Sequence, residues 1–170
     1  MASLAVPEQA RDGLMQALVA RDFVELELRL AEAGVGGEAA ELLLDVPQRR
    51  GGPALLTDAP APAVEAVTGM RRVHELLAPD VAERVIFDLG LVRNIGYYTG
   101  AVFEVYDPAL GVPIGGGGRY DDLLGRFGRS LPAVGFALYV DPLHQALAGE
   151  KQGTGALAEL RDVATAGEPT

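Results

Sequence analysis

Residues 87–139 read FDLGLVRNIGYYTGAVFEVYDPALGVPIGGGGRYDDLLGRFGRSLPAVGFALY, and this stretch decides the fold. Val85, Phe87 and Leu89 alternate with Arg84, Ile86 and Asp88 just at its start. Further β-rich runs at 101–106, 112–116 and 133–140 are separated by turn residues, a spacing that predicts an antiparallel sheet. Between the last two runs, residues 120–127 suit a short helix. The glycines at 115–118 present consecutive backbone N–H groups that could cradle an anion. No Gly-Lys-Ser/Thr follows them, however, and no G-x-G-x-x-G opens a helix after a strand. Glycines inside a strand more often admit a close-lying backbone or ligand, because no side chain blocks the face. Arg93, Tyr97, Tyr98, Arg119 and Tyr120 would together suit a small amino acid: guanidinium takes carboxylate bidentately, and phenol hydroxyls orient an amine or ring nitrogen. The same residue types also cap sheets and pair with carboxylates such as Asp88, Asp121 or Asp122, and residue type alone leaves both readings open. His74 and His144 sit in predicted helices with no matching ligand set. Ser130 has no histidine beside it in sequence, and Glu104 has no obvious carboxylate partner, so no nucleophile–base pair stands out.

Outward from this stretch, the first eighty residues read as helices. Leu14, Met15 and Leu18 give an apolar stripe over 6–20. Asp22, followed by Glu25, resembles a capping box that opens a second helix with Phe23, Leu26, Leu30 and Ala33 inward and Gly34 as its stop. Val24, Leu26, Leu28 and Leu30 also alternate at period two, which would permit a strand; the strong helix formers around them favour the helix. A third helix is predicted over 38–46, ended by Pro47, then a turn at Gly51-Gly52-Pro53 and a stiff Ala-Pro connector over 58–62. A longer helix over 63–77, with Val64, Val67, Met70 and Leu77 inward, closes at Pro79. On the other side, Asp141-Pro142 offers an N-cap and first-turn proline for a last helix to about Leu147. The expected organisation is a helical segment over 1–80, a sheet-bearing region over 81–148 and a disordered tail over 149–170.

Composition narrows the function. The 170 residues suffice for an independent core, and with no cysteine there is neither a disulfide nor a zinc–thiolate site. A formal charge of −10, spread along the chain, argues against a nucleic-acid surface. With no signal-like segment and no apolar run near the roughly 20 residues a bilayer requires, a cytoplasmic protein without membrane contact is expected. No cofactor or metal is implied.

LVRNIGYYTGAVFE, residues 91–104, resembles the first histidine-specific motif of the histidyl-tRNA synthetase-like family of class II folds, LVRGLDYYTRTVFE. GGGGRYDDLL, residues 115–124, is similar to the second, AGGRYDGL. The resemblance implies an α+β fold, a partial class II synthetase-like antiparallel sheet with flanking helices and a preceding helical segment. It matches Arg93 to the arginine that assists adenylate formation, and Tyr98 and Tyr120 to tyrosines lining the histidine pocket. Tyr97, Gly117 and Arg119 become pocket or support positions. Departures matter as much. The third class motif resembles GFAIGLERL, its arginine holding the ATP γ-phosphate, whereas residues 135–143 read GFALYVDPL, with Tyr139 for the glycine and Pro142 for the arginine. Asn94 and Gly96 replace the Gly and Asp of the first motif.

Loss of the phosphate-gripping arginine, the absence of a following tRNA-binding segment and an acidic chain together resemble the regulatory subunits of ATP phosphoribosyltransferase. These are non-catalytic synthetase relatives that partner a short-form catalytic subunit in the first step of L-histidine biosynthesis. The resemblance implies activation of that subunit and feedback by L-histidine. The alternatives are a divergent histidyl-tRNA synthetase fragment or a stand-alone amino-acid-binding remnant. Family members carry a long stretch before this region, so the chain is expected to be N-terminally incomplete and to hold half the pocket. Its sheet would then expose an edge and an apolar face, and self-association or poor solubility is expected.

Overall fold

In the computed structural model, which describes residues 6–57, 59–93 and 96–151, the chain forms two compact units. One lies within Met1–Gly96 and the other within Tyr97–Thr170. Residues 81–96, grouped with the sheet on sequence grounds, fall in the first.

The first unit opens with helices α1, Glu8–Ala20, and α2, Phe23–Glu32. Leu14 and Ala17 of α1 pack with Leu26 and Leu30 of α2, and Phe23, Val35, Leu43 and Leu44 close around them. Each fully buried leucine contributes roughly 1.5–3 kcal/mol. Met15, placed inward by the sequence stripe, is instead 46% exposed, because a helix step of one residue turns the side chain by about 100° away from Leu14. The period-two pattern of α2 resolves in the same way. Leu26 and Leu30 are one turn apart and buried, while Val24 and Leu28, also one turn apart, are 72% and 56% exposed.

Both helices end in the same backbone closure. At the end of α2, Gly34 N–H donates to the Ala31 carbonyl and Val35 N–H to that of Leu30, with Gly34 left-handed at φ +70°. This is a Schellman motif, complete with the Val35 contact to the core. At the end of α1, Arg21 N–H donates to Leu18 and Asp22 N–H to Ala17, but the left-handed residue is Arg21, φ 54°. A non-glycine residue there costs about 1–2 kcal/mol. Its side chain donates from Nη2 to both carboxylate oxygens of Asp88, at 2.7 and 2.8 Å. Asp22 then caps α2 by accepting from Glu25 N–H at 2.9 Å. The capping box is only half formed, since Glu25 bridges to Arg29 instead.

Helix α3, Glu38–Asp45, passes into a 3-10 turn, Val46–Gln48, that contains Pro47. The expected turn at Gly51-Gly52-Pro53 is preceded by a short strand β1, Arg50–Gly51. It pairs antiparallel with β2, Phe87–Asp88. The expected strand over 84–89 therefore shrinks to two residues and pairs with β1 in a sheet of its own, separate from the three later strands. The predicted single antiparallel sheet is corrected to two. Alternation still sorts the faces: Phe87 is buried with Leu56 and Val67, Val85 and Leu89 pack against them, and Ile86 is 61% exposed. Of the connector over 58–62, Asp58 lies outside the described residues. Helix α4 spans Val64–Glu75, with Val67 buried and Met70 against it; Val64, expected inward, is 49% exposed at its first turn. The helix stops before Pro79, which instead starts the four-residue helix α5, Pro79–Ala82.

The second unit is a three-stranded antiparallel sheet in the order β3, Val102–Tyr106; β4, Pro113–Arg119; β5, Val134–Leu138. The helix expected over 120–127 is a 3-10 turn, Leu124–Phe127, closed by left-handed Gly128. Helix α6 runs Val140–Lys151 and so begins before Asp141, which lies in its first turn rather than at its cap; it passes the expected end at Leu147. The predicted tail from 152 on lies outside the described residues.

The exposed and buried pairs on α2 give a direct check of the helix. Leu30→Ala should lower the unfolding free energy by about 2–5 kcal/mol, and Val24→Ala by no more than about 0.5 kcal/mol. Urea denaturation followed by far-UV circular dichroism measures both; equal losses would restore the strand.

Candidate ligand site

Strand β4 is the centre of the second unit, and its residues Gly115, Gly116, Gly117 and Gly118 are all buried. They pair on one side with Val105, Glu104, Phe103 and Val102, and on the other with Leu138, Ala137, Phe136 and Gly135. A side chain on Gly118 would lie 2.8 Å from the ring of Tyr98 and from the Ala101 carbonyl, and one on Gly135 would strike the Tyr120 hydroxyl. Gly118 and Gly135 are register partners, so both rings lie on the same face of the sheet. Tyr97 completes the group. Its ring centroid is 4.9 Å from that of Tyr98 and 5.3 Å from that of Tyr120, with Tyr98 and Tyr120 6.2 Å apart. All three rings are half-buried, and their tilted and edge-on contacts are the arrangements that aromatic quadrupoles favour.

Asp121 organises the start of β5 and the end of β4. Its Oδ2 accepts from Arg119 Nε at 2.7 Å, its Oδ1 from Ala133 N–H at 3.2 Å, and its own N–H donates to Thr99 Oγ1 at 2.9 Å. The stem of Arg119 runs over Gly100, where a side chain would come within 3.1 Å of it. Arg119 thus stands on a glycine and is aimed by a carboxylate, with further guanidinium donors able to take a second anion.

The tertiary structure thus gathers Tyr97, Tyr98, Arg119 and Tyr120 in one unit. Gly117 and Arg119, by strand alternation, belong to the opposite face, where the missing side chain of Gly117 admits the Gly135 carbonyl and Phe136. Arg93 belongs to the first unit and is half-buried there; neighbouring Asn94 lies outside the described residues. The sequence reading missed Gly118, Gly135 and Thr99 as contributors and treated Asp121 as an ion-pair partner alone. A register of β4 against β5 would have exposed the two glycines. His74, by contrast, is structural: its ring meets Phe87 edge-on at 5.4 Å and its Nε2 lies 3.3 Å from the Ala82 carbonyl. Glu104 accepts from the Tyr106 hydroxyl at 2.6 Å. Among the described residues, no cluster of His, Asp or Glu is suited to hold a metal, and no helix is long and apolar enough to cross a membrane.

A glycine-rich central strand between antiparallel neighbours, with helices before and after, defines an α+β domain of the class II synthetase type. The chain belongs to the histidyl-tRNA synthetase family, whose model matches residues 1–143. It is 46% identical over 163 residues to an ATP phosphoribosyltransferase regulatory subunit of Symbiobacterium thermophilum, covering 89% of this chain and 39% of the relative. It is 40% identical to the corresponding subunit of Desulforamulus reducens over 85% of this chain and 37% of that one. A crystal structure from Bacillus halodurans, described as an ATP phosphoribosyltransferase regulatory subunit/histidyl-tRNA synthetase, superposes with a TM-score of 0.70 at 33% identity, over 81% of this chain and 38% of its own. The chain therefore spans about two-fifths of the length of the curated relatives it matches.

Gly118→Ala tests the seating of the rings. With no tryptophan in the chain, the near-UV circular dichroism reports tyrosine and phenylalanine alone. The added methyl should displace Tyr98, remove most of the tyrosine signal and cost about 1–3 kcal/mol, whereas Gly125→Ala, with open space around it, should leave the spectrum unchanged.

Proposed function

We propose that this chain forms part of a non-catalytic regulatory subunit of ATP phosphoribosyltransferase. It acts in the cytoplasm with a separate short-form catalytic subunit in the first step of L-histidine biosynthesis, and L-histidine is its ligand. The reading is carried by the three-tyrosine cluster seated on Gly118 and Gly135. An imidazole ring suits the company of phenols that stack and hydrogen-bond without adding charge. The names of the relatives support the same reading.

Pro142 supports the absence of adenylate chemistry. It stands in the first turn of α6, at the position where the resembled synthetase motif carries its ATP-gripping arginine, and proline offers neither charge nor donor. Regulation then requires that the ligand bind two states of the heteromeric complex with different affinity, since only that difference shifts their populations. Arg93 is assigned to the same amino-acid site by its motif position.

The protein as its gene encodes it should co-purify with the short catalytic subunit and raise phosphoribosyl transfer well above the catalytic subunit alone. No activation, or ATP–pyrophosphate exchange by the protein itself, would sink the proposal. For the site, calorimetry with L-histidine should show Tyr120→Ala weakening binding about tenfold or more, equivalent to about 1.4 kcal/mol.

A further inference from the structure

We propose that Arg21 and Asp88 are positioning residues for Arg93, through which the junction of α1 and α2 regulates the amino-acid site. The proposal rests on the assignment of Arg93 to that site made above. Asp88 is the residue at which the chain leaves β2. Its Oδ1 accepts from Gly90 N–H at 2.9 Å and its backbone carbonyl from Leu91 N–H at 3.3 Å. One residue therefore forms the turn that sends the chain towards Arg93, three residues beyond Gly90. Gly90 is buried and lies against the Pro47 carbonyl, while Leu89 N–H donates to the Arg49 carbonyl at 3.0 Å. Residues 91–93 are half-buried and outside any helix or strand, so they take their direction from the turn that releases them.

Arg21 controls that turn across a sequence separation of 67. Its Nη2 donates to both carboxylate oxygens of Asp88, at 2.7 and 2.8 Å, and this fixes the plane of a group whose terminal torsion is otherwise soft. Oδ1 is shared between Arg21 and Gly90 N–H. A buried N–H that loses its acceptor is costly, so a rotation of the carboxylate is felt at Gly90.

Stability does not account for Arg21. Among the described residues it is the one non-glycine with a positive φ, and glycine would take that conformation without strain. The ion pair returns little against the strain, because the arginine side chain is 47% exposed. Nor does the closure require an arginine: Gly34 ends α2 by the same motif with no side chain at all. Backbone strain kept without a gain in stability points to function. Displacing the α1–α2 junction withdraws Arg21, frees the Asp88 carboxylate, loosens the turn at Gly90 and shifts Arg93. The two arrangements then differ in affinity for the amino acid, which is what regulation of the site requires.

Arg21→Gly separates positioning from stability. In the protein as its gene encodes it, this variant should keep or raise the thermal midpoint, yet exchange its amide hydrogens over 88–93 about tenfold faster by mass spectrometry and bind L-histidine about fivefold more weakly by calorimetry. Asp88→Asn, which keeps an acceptor for Gly90 but not the charge that holds Arg21, should move exchange and affinity in the same direction. Glu25→Gln, which breaks the Arg29 ion pair within α2, should change neither. Unchanged exchange in both junction variants overturns the proposal, as does faster exchange with wild-type affinity. A lowered midpoint for Arg21→Gly shows a merely structural pair and overturns it too. If the wild type itself does not bind L-histidine, the ligand assigned above falls, and exchange over 88–93 alone decides whether Arg21 positions Arg93.

Discussion

The second unit is organised around a strand whose middle has no side chains. From Gly115 to Gly118 the backbone of β4 is buried, and neighbouring groups occupy the space that the Cβ atoms of Gly115, Gly117 and Gly118 would otherwise claim. On one face the Tyr98 ring rests on Gly118 and the Tyr120 hydroxyl reaches Gly135; on the other, β5 presses against Gly117 closely enough that its Gly135 carbonyl and Phe136 exclude any substituent. Ordering glycine in a strand costs about 0.5–1 kcal/mol per residue relative to alanine. Pairing on both edges and aromatic contacts of about 0.5–1.5 kcal/mol each offset that cost. The seating of the tyrosine cluster on one face and the close approach of β5 on the other both follow from the missing side chains.

The first unit relies on a different device. Two consecutive helices end in Schellman closures, and each closure sets the direction of the next segment: Asp22 leaves the first and immediately caps α2. Arg21 holds a conformation that glycine would adopt freely, and its guanidinium reaches Asp88 across a sequence separation of 67. Asp88 side chain Oδ1 also accepts from Gly90 N–H at 2.9 Å. Gly90 in turn has no room for a side chain, because the Pro47 carbonyl lies against it. An exposed cation and a mostly buried carboxylate contribute at most about 1 kcal/mol as an ion pair. The pair matters more for register, since it fixes the β2 end of the unit relative to the closure that ends α1.

Much of this was legible in the local sequence. The Asp22 cap, the Gly34 stop and the inward Leu26 and Leu30 follow from capping chemistry and helical period. The strands and the glycine run follow from alternation and from the missing side chains. Harder to read were β1, two residues long with no periodicity to betray it, and the split into two sheets. For the proposed site, residue types singled out Tyr97, Tyr98 and Tyr120, whose rings cluster, but Gly118, Gly135 and Thr99 contribute through register and backbone position, which neighbours in sequence do not reveal.

By itself, the sequence determined the helix-then-strand order, the family to which the motifs belong and the residue types of the proposed ligand site, because capping, periodicity and side-chain chemistry act over a few residues. Only the tertiary structure decided which glycine seats which ring, that Gly117 serves the face opposite the tyrosines, and that Asp121 aims Arg119. Those outcomes depend on the pairing register of β4 with β3 and β5, where a shift of one residue exchanges the two faces of the sheet.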